Sequence, residues 1–474
     1  MFGEKKIDNP LEINIEMKNQ LSRRKFLQTS AVAGTGVAII PGAFPAYLKG
    51  ADDRKINLGF IGTGLRGRSL MSLALRRNDC TVKAICDIDE KAIGASKKII
   101  AKVWQAPPKV FSNGEEDYLN LLHEESIDAV IIATPWVWHV PMAVNSMKAG
   151  KYTAVEVCGA TAIQECWDLV NTYEETKVPC MFLENVCYRR DVMAVLNMVR
   201  KGLFGELMHL EGGYQHDLRH VKFNDGIDPY GKGVEFGEKG YSEAAWRTNH
   251  SVNRNGDLYP THGIGPIAQY LNINRGNRFL YLTSTSTKSR GLHDYIVNNE
   301  VGGKDHPNAS VEFKLGDVIT TVLKTQNGES IILSHDTNLP RPYSLGFRVQ
   351  GTKGIWMDVN KSIYLEGISK DAHRWEPAEP YLEKYDHPLW KKYAAEASGA
   401  GHGGMDFFVL NAFIESVKRK TNPPIDVYDA ATWMAITPLS EQSIATGSQA
   451  MPFPDFTKGK WMKNKNEFAL NDDF

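Results

Sequence analysis

The sequence predicts an α/β protein with an N-terminal doubly wound parallel sheet and a C-terminal α+β part built on a largely antiparallel, open sheet. Two observations lead to this prediction. Short apolar runs alternate with helical segments in the N-terminal part, which is the pattern of a parallel sheet with helices on both faces. Beyond about residue 185, strand-like runs follow one another across Gly and Asn turns, which is typical of antiparallel pairing.

Length and composition limit the architecture and the partners. A chain of 474 residues exceeds one ordinary core and predicts two large domains. Its formal net charge of -1 offers no attraction to a polyanion, so we expect no nucleic-acid partner. The six cysteines show no metal-ligand spacing, so the sequence predicts neither a metal site nor a disulfide framework. We interpret most of them as small core residues.

The first fifty residues carry a targeting pattern. Ser22 to Leu27 read S-R-R-K-F-L and precede a weakly apolar stretch, which resembles a twin-arginine export signal. A basic surface turn or a membrane anchor is the alternative, but Pro41 and Pro45 fit a spanning helix poorly. We therefore expect residues 1–50 to be a signal and linker. The twin-arginine export machinery would then be a partner, and the protein would be periplasmic or associated with the cell envelope.

Five apolar runs predict the strands of the first domain, which we place at residues 51–185. Helical segments lie between these runs. The runs cover residues 55–60, 81–86, 127–133, 152–156 and 180–184.

The remaining residues, 186–474, predict the α+β domain. Its strand-like runs include residues 310–314, 318–323 and 330–334. Between Asn224 and Asn255, a stretch rich in glycine and charge shows little periodicity and is too long for a casual loop. Such segments often line binding sites. Helical segments near the C-terminus could pack back on the first domain.

A glycine pattern follows the first predicted strand. Gly62, Gly64 and Gly67 form G-x-G-x-x-G between a strand and a helix, and Asp87 ends the second strand. Such glycines let the backbone approach a pyrophosphate at a helix N-terminus, while an acid about 20 residues later holds a ribose hydroxyl. Because three glycines can match by chance, the surrounding elements carry the prediction of a Rossmann domain. Asp87 and Asp89, with no arginine at that turn, favour NAD over NADP.

Two further strand ends supply candidate cofactor contacts. Trp136, Val137, Trp138 and His139 follow the third of the long strands, at the edge of the sheet where cofactors lie. They are typical of a wall beside the nicotinamide, and aromatic packing between the domains is the alternative. Glu156 also ends a strand, where it either orients the cofactor ribose or caps the next helix.

Candidate substrate residues gather at the domain junction. Tyr214 lies in G-Y-Q-H-D, Arg247 in W-R-T-N-H, and Tyr259 and His262 in L-Y-P-T-H-G. We interpret these as polar turn segments whose side chains suit sugar binding and proton transfer. A single histidine is more often structural than catalytic, so His262 needs further support. Tyr343 is either another pocket wall or a strand aromatic.

Longer motifs connect the chain to a known family. They read G-T-G-L-R-G, P-W-V-W-H, E-N-V-C-Y-R-R-D, G-G-Y-Q-H-D-L-R, G-V-E-F-G-E-K, W-R-T-N-H, L-Y-P-T-H-G and G-A-G-H-G-G-M-D. The chain resembles the glucose-fructose oxidoreductase, inositol dehydrogenase and MocA superfamily. It resembles most closely the glycoside hydrolase family 109 branch, the NAD-dependent α-N-acetylgalactosaminidases. The resemblance spans essentially everything after the signal, and the signal of that family is also of twin-arginine type.

The resemblance implies specific contacts. The implied NAD contacts are Leu65, Arg66, Asp87, Trp136, Val137, Trp138, His139, Glu156, Val157 and Asn185. The implied substrate contacts are Tyr214, Arg247, Tyr259, Pro260, Thr261, His262 and Tyr343. Dehydrogenases of the wider superfamily usually carry Glu-Lys-Pro where this chain has Glu156, Val157 and Cys158. Without that lysine, His262 must do more of the hydroxyl deprotonation, or another base must replace it.

The activity implied by the resemblance is hydrolysis of terminal α-N-acetylgalactosamine residues through transient oxidation of C3. His262 would accept the hydroxyl proton and Tyr214 would remove the C2 proton. The aglycone would then leave, water would add, and C3 would be reduced again with no net redox change. Tyr259 is a third candidate, because the sequence does not assign acid and base among the three.

Two alternatives stay open. One is an NAD-dependent sugar or polyol dehydrogenase of the same superfamily, which would release NADH. The other is a non-catalytic sugar-binding protein that retains NAD. In each reading we expect a glycan or glycoside as partner, and a homo-oligomer is compatible with the sequence.

Overall fold

The computed structural model describes residues 55–474, so the predicted signal and linker at residues 1–50 lie outside the described residues. All six cysteines are buried and free. Within the described range, no helix combines the length and the apolar character needed to cross a membrane. One apolar cluster extends through both sheets, so the two parts of the chain share a core.

The first sheet has six parallel strands. They are β1 (Ile56–Ile61), β2 (Cys80–Cys86), β3 (Lys109–Phe111), β4 (Ala129–Ile132), β5 (Tyr152–Val155) and β6 (Cys180–Phe182). Their order is β3-β2-β1-β4-β5-β6, which confirms the predicted doubly wound sheet. β4, β5 and β6 are buried at every position. This explains why they read as apolar runs rather than as alternating patterns.

Helices connect these strands. They are α1 (Leu65–Ala74), α2 (Glu90–Lys102), α3 (Tyr118–Leu122), α4 (Trp136–Lys148) and α5 (Ile163–Thr176). The side chain of Glu165 accepts hydrogen bonds from the Thr161 hydroxyl at 2.9 Å and the Ala162 amide at 3.0 Å, and so caps α5. The proposal that Glu156 caps this helix is therefore wrong.

The second sheet has nine strands. They are β7 (Leu207–Gln215), β8 (Phe279–Ser286), β9 (Val318–Thr325), β10 (Ser330–Asp336), β11 (Arg348–Gly351), β12 (Gly354–Met357), β13 (Ser362–Leu365), β14 (Glu376–Pro377) and β15 (Met451–Pro452). Their order is β14-β13-β12-β11-β7-β10-β9-β8-β15. Only β7 and β10 pair in parallel, so the prediction of a largely antiparallel sheet is confirmed.

Ten helices of the described chain accompany this sheet. They are α6 (Arg190–Arg200), α7 (Arg219–Lys222), α8 (Glu243–Asn253), α9 (Thr261–Tyr270), α10 (Gly291–Val297), α11 (Glu379–Lys384), α12 (Pro388–Ala397), α13 (Met405–Arg419), α14 (Val427–Met434) and α15 (Ile436–Ala445). Short 3-10 turns lie at Asn185–Tyr188, Gly237–Lys239, Pro307–Ser310, His402–Gly404 and Lys460–Met462.

The predicted strand at residues 310–314 is wrong. A 3-10 turn occupies Pro307–Ser310, and the residues after it are irregular. The amide of Leu315 donates to the carbonyl of Ser251 in α8 at 3.0 Å, so the backbone there bonds to a helix instead of a strand. Phe313 enters a small apolar cluster separate from the main core. Its burial produced the strand-like pattern.

The stretch from Asn224 to Asn255 is only half irregular, because α8 occupies Glu243–Asn253. The W-R-T-N-H motif therefore lies in a helix, and the expectation of a turn there is wrong. His262 likewise lies in the first turn of α9. The helical period of α8 is hard to read from the sequence, because its buried residues are Ala244, Thr248 and Ser251, of which two are polar.

Helices near the C-terminus pack on the first sheet's helices. α13 contacts α1 and β1, and α14 contacts α5 and β6. A buried ionic cluster holds α13, with Arg77 paired to Asp79 at 2.7 Å and to Glu415 at 2.6 Å. Lys418 adds a contact to Asp79 at 2.8 Å. Because all four side chains are almost inaccessible, each charge depends on the others.

Removing one member should therefore destabilise the fold strongly. We expect Arg77→Met to lower the free energy of unfolding by about 3–5 kcal/mol, because it removes the partner that two buried carboxylates share. Although burial opposes ionisation, hydrogen bonds from Arg77 and Lys418 lower the pKa of Asp79 to about 2. The ionised carboxylate stabilises the fold above its unfolded pKa of about 4, and this stabilisation is lost as the pH falls towards about 2. Urea unfolding of the unmodified protein and of Arg77→Met should show that the difference between their free energies of unfolding decreases as the pH is lowered through this range.

The matched control is Arg374→Met. Arg374 pairs with Asp371 at 3.7 Å, but both side chains are exposed, so we expect a loss of about 0–1 kcal/mol. Equal losses in the two variants would contradict the special weight given to the buried cluster.

Candidate functional site

A single cavity of about 710 Å³ lies where the carboxyl ends of the first sheet's strands meet β7 and α8. It brings together most of the residues singled out from the sequence. Those lining it are Gly62, Gly64, Leu65, Arg66, Asp87, Trp136, Trp138, His139, Glu156, Val157, Asn185, Tyr214, Arg247, Tyr259 and His262. Those that do not line it are Gly67, Val137, Pro260, Thr261 and Tyr343.

The side chains outside the cavity have other environments. Val137 is half-exposed. Thr261 is fully buried, with its hydroxyl 3.8 Å from the Sγ atom of Cys158. Tyr343 lies beside the cavity, with its ring centre 4.9 Å from that of the lining residue His216. Tyr343 therefore stands next to the predicted substrate residues although it is partly exposed.

The turn between β1 and α1 is shaped for a dinucleotide. Asp87 Oδ2 accepts hydrogen bonds from the Thr63 amide at 2.5 Å and the Thr63 hydroxyl at 3.0 Å. Gly64 is the N-cap of α1 and offers no side chain to its first amides. A Cβ atom on Gly64 would meet no protein atom within 4 Å, so the backbone there faces open cavity. This is the bare backbone surface that a pyrophosphate needs at a helix N-terminus.

Three predicted cofactor contacts join a buried ionic network. Arg66 donates from Nε to Glu156 at 2.7 Å and from Nη1 to Asp406 at 2.7 Å. Asn185 donates to Asp406 Oδ1 at 2.8 Å. His402 Nδ1 lies 2.7 Å from Asp406 Oδ2, the oxygen that also accepts from Arg66. Burial opposes ionisation of Asp406, yet Arg66 and His402 hold its pKa well below the usual range.

The same network affects Glu156 differently. Burial raises the pKa of Glu156, and Arg66 only partly offsets this. Asp406 and His402 were not predicted as site residues, although both lie in the G-A-G-H-G-G-M-D motif. That dense glycine motif was the signal that could have identified them.

A buried carboxylate orients the predicted catalytic histidine. Glu184 follows β6 and is inaccessible to solvent, and its Oε1 lies 2.7 Å from His262 Nδ1. The same oxygen accepts from the Val186 amide at 3.0 Å. Because an ionised carboxylate only accepts, Nδ1 carries the proton and Nε2 is left to accept one. Sequence reasoning missed Glu184, although a carboxylate at a strand end was its signal.

Close packing of α9 on β7 places His262 beside Tyr214. A Cβ atom on Gly263 would lie 2.4 Å from the Gly213 amide nitrogen, and one on Gly213 would lie 2.1 Å from the Ser334 carbonyl oxygen. Neither position could hold a larger residue without moving backbone. Gly263 therefore allows α9 to lie close to β7, and Gly213 allows β7 to lie close to β10.

An aromatic cluster surrounds His262. The rings of Tyr214 and Tyr259 stack with centres 4.5 Å apart, and His262 meets them edge-on at 5.3 and 4.9 Å. Tyr214 Oη lies 3.2 Å from His216 Nδ1. Burial lowers the pKa of His216 to about 4, so its imidazole is neutral near pH 7. Burial also raises the pKa of Tyr214, although Arg247 opposes this, so Tyr214 is protonated at rest.

Arg247 is enclosed by aromatic rings. Its guanidinium carbon lies 5.0 Å from the centre of Trp136 and 5.6 Å from those of Trp246 and Tyr259. Its Nε is 2.7 Å from a Glu243 oxygen. Trp136 packs against residues of the second domain, which confirms the interpretation as aromatic packing. It also lines the cavity, and its place beside the nicotinamide stays a prediction.

His139 braces the wall of the cavity. Its Nε2 contacts the Thr134 carbonyl at 2.7 Å and its Nδ1 contacts the Cys158 carbonyl. Burial lowers its pKa. These contacts lock the start of α4 to the segment after β5, beside Glu156 and Val157.

Comparison with known families covers both parts of the chain. Residues 56–183 match the family described as "Oxidoreductase family, NAD-binding Rossmann fold". Residues 188–463 match the family described as "Glycosyl hydrolase 109, C-terminal domain". NAD is therefore the cofactor whose binding domain this chain carries.

Whole-chain relatives agree. The chain is 53% identical over 455 residues to a protein of Stenotrophomonas maltophilia named glycosyl hydrolase family 109 protein, covering 95% of this chain and 99% of the relative. It is 50% identical over 468 residues to the α-N-acetylgalactosaminidase of Tannerella forsythia, with the same two coverages.

Solved structures share the fold. Levoglucosan dehydrogenase in complex with NADH and levoglucosan superposes with a TM-score of 0.60 at 17% identity, covering 85% of this chain and 100% of the enzyme. The myo-inositol dehydrogenase of Lactobacillus casei, in complex with NAD(H) and myo-inositol, gives 0.55 at 15% identity, covering 85% and 97%.

Substitutions at Gly64 and Gly67 should distinguish an effect on NAD binding from an effect on folding. Gly64→Ala adds a methyl group that faces open cavity at an ordinary φ of -61°, so we expect unchanged thermal stability without cofactor. NAD affinity should fall at least about tenfold, because the methyl group occupies the path of the pyrophosphate, and one lost contact of about 1.4 kcal/mol is tenfold. Isothermal titration with NAD measures this.

Gly67→Ala is the matched comparison. Its Cβ atom would lie 2.1 Å from the Gly62 carbonyl oxygen, so the backbone must shift. We expect it to lower the melting temperature of the cofactor-free protein as well as NAD affinity. If Gly64→Ala binds NAD as tightly as the unmodified protein, the turn is not the pyrophosphate site.

Proposed function

This chain belongs to glycoside hydrolase family 109, and we propose that it releases terminal α-N-acetylgalactosamine from glycosides by a route in which NAD is used and restored in each turnover. It is a glycoside hydrolase with an NAD-binding domain. The observation that carries the finer proposal is the Glu184–His262 pair beside Tyr214, in the same cavity as the dinucleotide turn. The named activity of the Tannerella forsythia relative supports the choice of sugar.

The pair gives His262 the role of first base. Glu184 holds the proton on Nδ1, so Nε2 would take the proton of the sugar 3-hydroxyl. Glu184 then stabilises the imidazolium that forms, as the aspartate does in a serine-protease triad. Bound NAD supplies the two-electron acceptor and donor needed to oxidise and later reduce C3.

Tyr214 would act on the neighbouring carbon. A ketone at C3 acidifies the C2 hydrogen, and loss of that proton drives the aglycone from C1. Since Tyr214 is protonated at rest, it needs a partner to become a base, and the neutral His216 at 3.2 Å can take its proton. The positive charge of Arg247 acts to lower the pKa of Tyr214 and so favours the tyrosinate form. Tyr259 stacks on Tyr214 and fixes its ring.

The wider superfamily's lysine has no counterpart here. Val157 stands in its place and lines the cavity, so no ammonium group is available at that point. This favours His262 with Glu184 as the base for the 3-hydroxyl. It also leaves the cavity wall apolar beside Glu156.

We further propose that the protein is exported by the twin-arginine route to the periplasm or cell envelope. Ser22 to Leu27, S-R-R-K-F-L, support this. A route that carries folded proteins suits an enzyme assembled around its cofactor before export.

Turnover in D₂O should reveal the route. With 4-nitrophenyl α-N-acetylgalactosaminide we expect release of nitrophenol, deuterium at C2 of the freed sugar, and no accumulation of NADH absorbance at 340 nm. The reason is that the C2 proton leaves in each turnover and is replaced from solvent. Mass spectrometry of the sugar and absorbance of the solution are the measurements. A sugar or polyol dehydrogenase would accumulate NADH, and an NAD-retaining binding protein would release nothing.

The 3-O-methyl derivative of the same substrate is the control. Its C3 cannot be oxidised, so it should bind without being cleaved. Ready cleavage of this compound, or product carrying only protium at C2, would disprove the redox route while leaving the glycosidase activity intact.

Glu184→Gln should slow the chemistry without emptying the site. We expect kcat to fall about 10²–10⁴-fold, because the amide no longer fixes the imidazole or stabilises its charge. KM and the amount of bound NAD should stay near those of the unmodified enzyme. Glu165→Gln, which removes a helix-capping carboxylate of the first domain, is the control and should leave kcat unchanged. If KM of Glu184→Gln rises while its bound NAD and its kcat both fall, Glu184 only supports the fold.

A further inference from the structure

A segment of the second domain reaches the first domain above the dinucleotide turn. The Tyr241 hydroxyl donates to Asp89 Oδ2 at 3.0 Å, and the Lys91 ammonium lies 4.9 Å from the centre of the Tyr241 ring. Asp89 and Lys91 begin α2 directly after β2, whereas Tyr241 precedes α8. Both Tyr241 and Asp89 line the main cavity.

The backbone of Tyr241 is held rigidly by its own segment. The buried side chain of Asn224 donates from Nδ2 to the Tyr241 carbonyl at 2.7 Å and accepts from the Tyr241 amide at 3.1 Å. The next residue, Ser242, has a φ of 56°, a left-handed conformation that a serine adopts only when its surroundings impose it. Asn224 thus fixes the backbone of Tyr241 and with it the position of the Tyr241 ring.

Asp89 is tied to the residue expected to hold the cofactor. Its amide donates to Asp87 Oδ1 at 2.9 Å, and its own Oδ1 caps α2 by accepting from the Lys91 amide at 2.8 Å. Its remaining oxygen receives the Tyr241 hydroxyl. Burial and the bond to Asp89 raise the pKa of Tyr241, so the hydroxyl stays a donor at neutral pH.

From these contacts we propose that Tyr241 and Asp89 form a clasp over the adenosine end of the cofactor site and slow the release of NAD. The acid at the end of the second strand marks the adenosine ribose in this fold, and the clasp lies two residues beyond it. Because its two halves belong to different domains, NAD can leave past this end only after the hydroxyl and the carboxylate separate. The inference depends on NAD binding and not on which sugar is cleaved. A slow release would suit a cofactor that is restored in each turnover, as in the proposed function.

The test follows release of NAD from the holoenzyme without any sugar. Enzyme loaded with NAD radiolabelled in the adenine is diluted into excess unlabelled NAD, and the label retained is counted after rapid gel filtration. We expect Tyr241→Phe to release NAD about tenfold faster, the effect of losing one hydrogen bond to a charged group. Tyr241→Ala should release it faster still, because the covering ring is also lost.

Tyr230→Phe is the control, since Tyr230 lies in the same segment and lines the same cavity, and its hydroxyl has no hydrogen-bond partner among residues 55–474. It should release NAD within about twofold of the unmodified rate. Release from Tyr241→Phe at the unmodified rate would overturn the proposal. Equal acceleration in both variants would also overturn it, because general loosening of the segment would then control release.

Discussion

The site depends on charge that is buried where the two sheets meet. Glu184 and Asp406 are both inaccessible to solvent, and each finds its partner across the domain junction, Glu184 in His262 and Asp406 in Arg66. A buried carboxylate without a partner costs several kcal/mol, so separating the domains carries a large free-energy penalty. The contacts that hold the domains together are therefore the same contacts that orient His262 and the dinucleotide turn. The stability of the fold and the geometry of the site therefore depend on the same two contacts.

The chain combines a dehydrogenase-like fold with membership of a glycoside hydrolase family. The fold is shared with sugar dehydrogenases that resemble this chain at only 15–17% identity. At the junction of its two domains, Val157 lines the cavity and a buried carboxylate lies behind His262. A fold does not determine a reaction, which depends on such side chains.

The cavity is also asymmetric in its polarity. At the dinucleotide end, backbone amides and the Asp87 carboxylate provide fixed polar groups. At the other end, stacked tyrosines and the ring-enclosed Arg247 surround His262. Burial among these rings lowers the local polarity and strengthens electrostatic interactions between the groups there. The neutral His216 beside Tyr214 fits this picture, because its burial keeps it free to accept a proton.

The sequence alone determined the architecture and most of the cavity lining, because strand burial, the glycine turn and strand-end residues follow local patterns. Gly64, Asp87 and Trp136 were predicted in this way and His262 with the help of the family resemblance, and the structure places all four in the cavity. Only the tertiary structure showed the partners Glu184 and Asp406, which lie 78 and 340 residues from His262 and Arg66 along the chain.

Local patterns also failed where tertiary contacts override them. Phe313 belongs to a strand-like run, yet Leu315, two residues later, bonds to a helix. The buried residues of α8 include the polar Thr248 and Ser251, so the sequence shows no apolar helical period there. A pattern reports which side chains are buried. It does not report against what they are buried, because that depends on how two sheets formed far apart in the chain pack against each other.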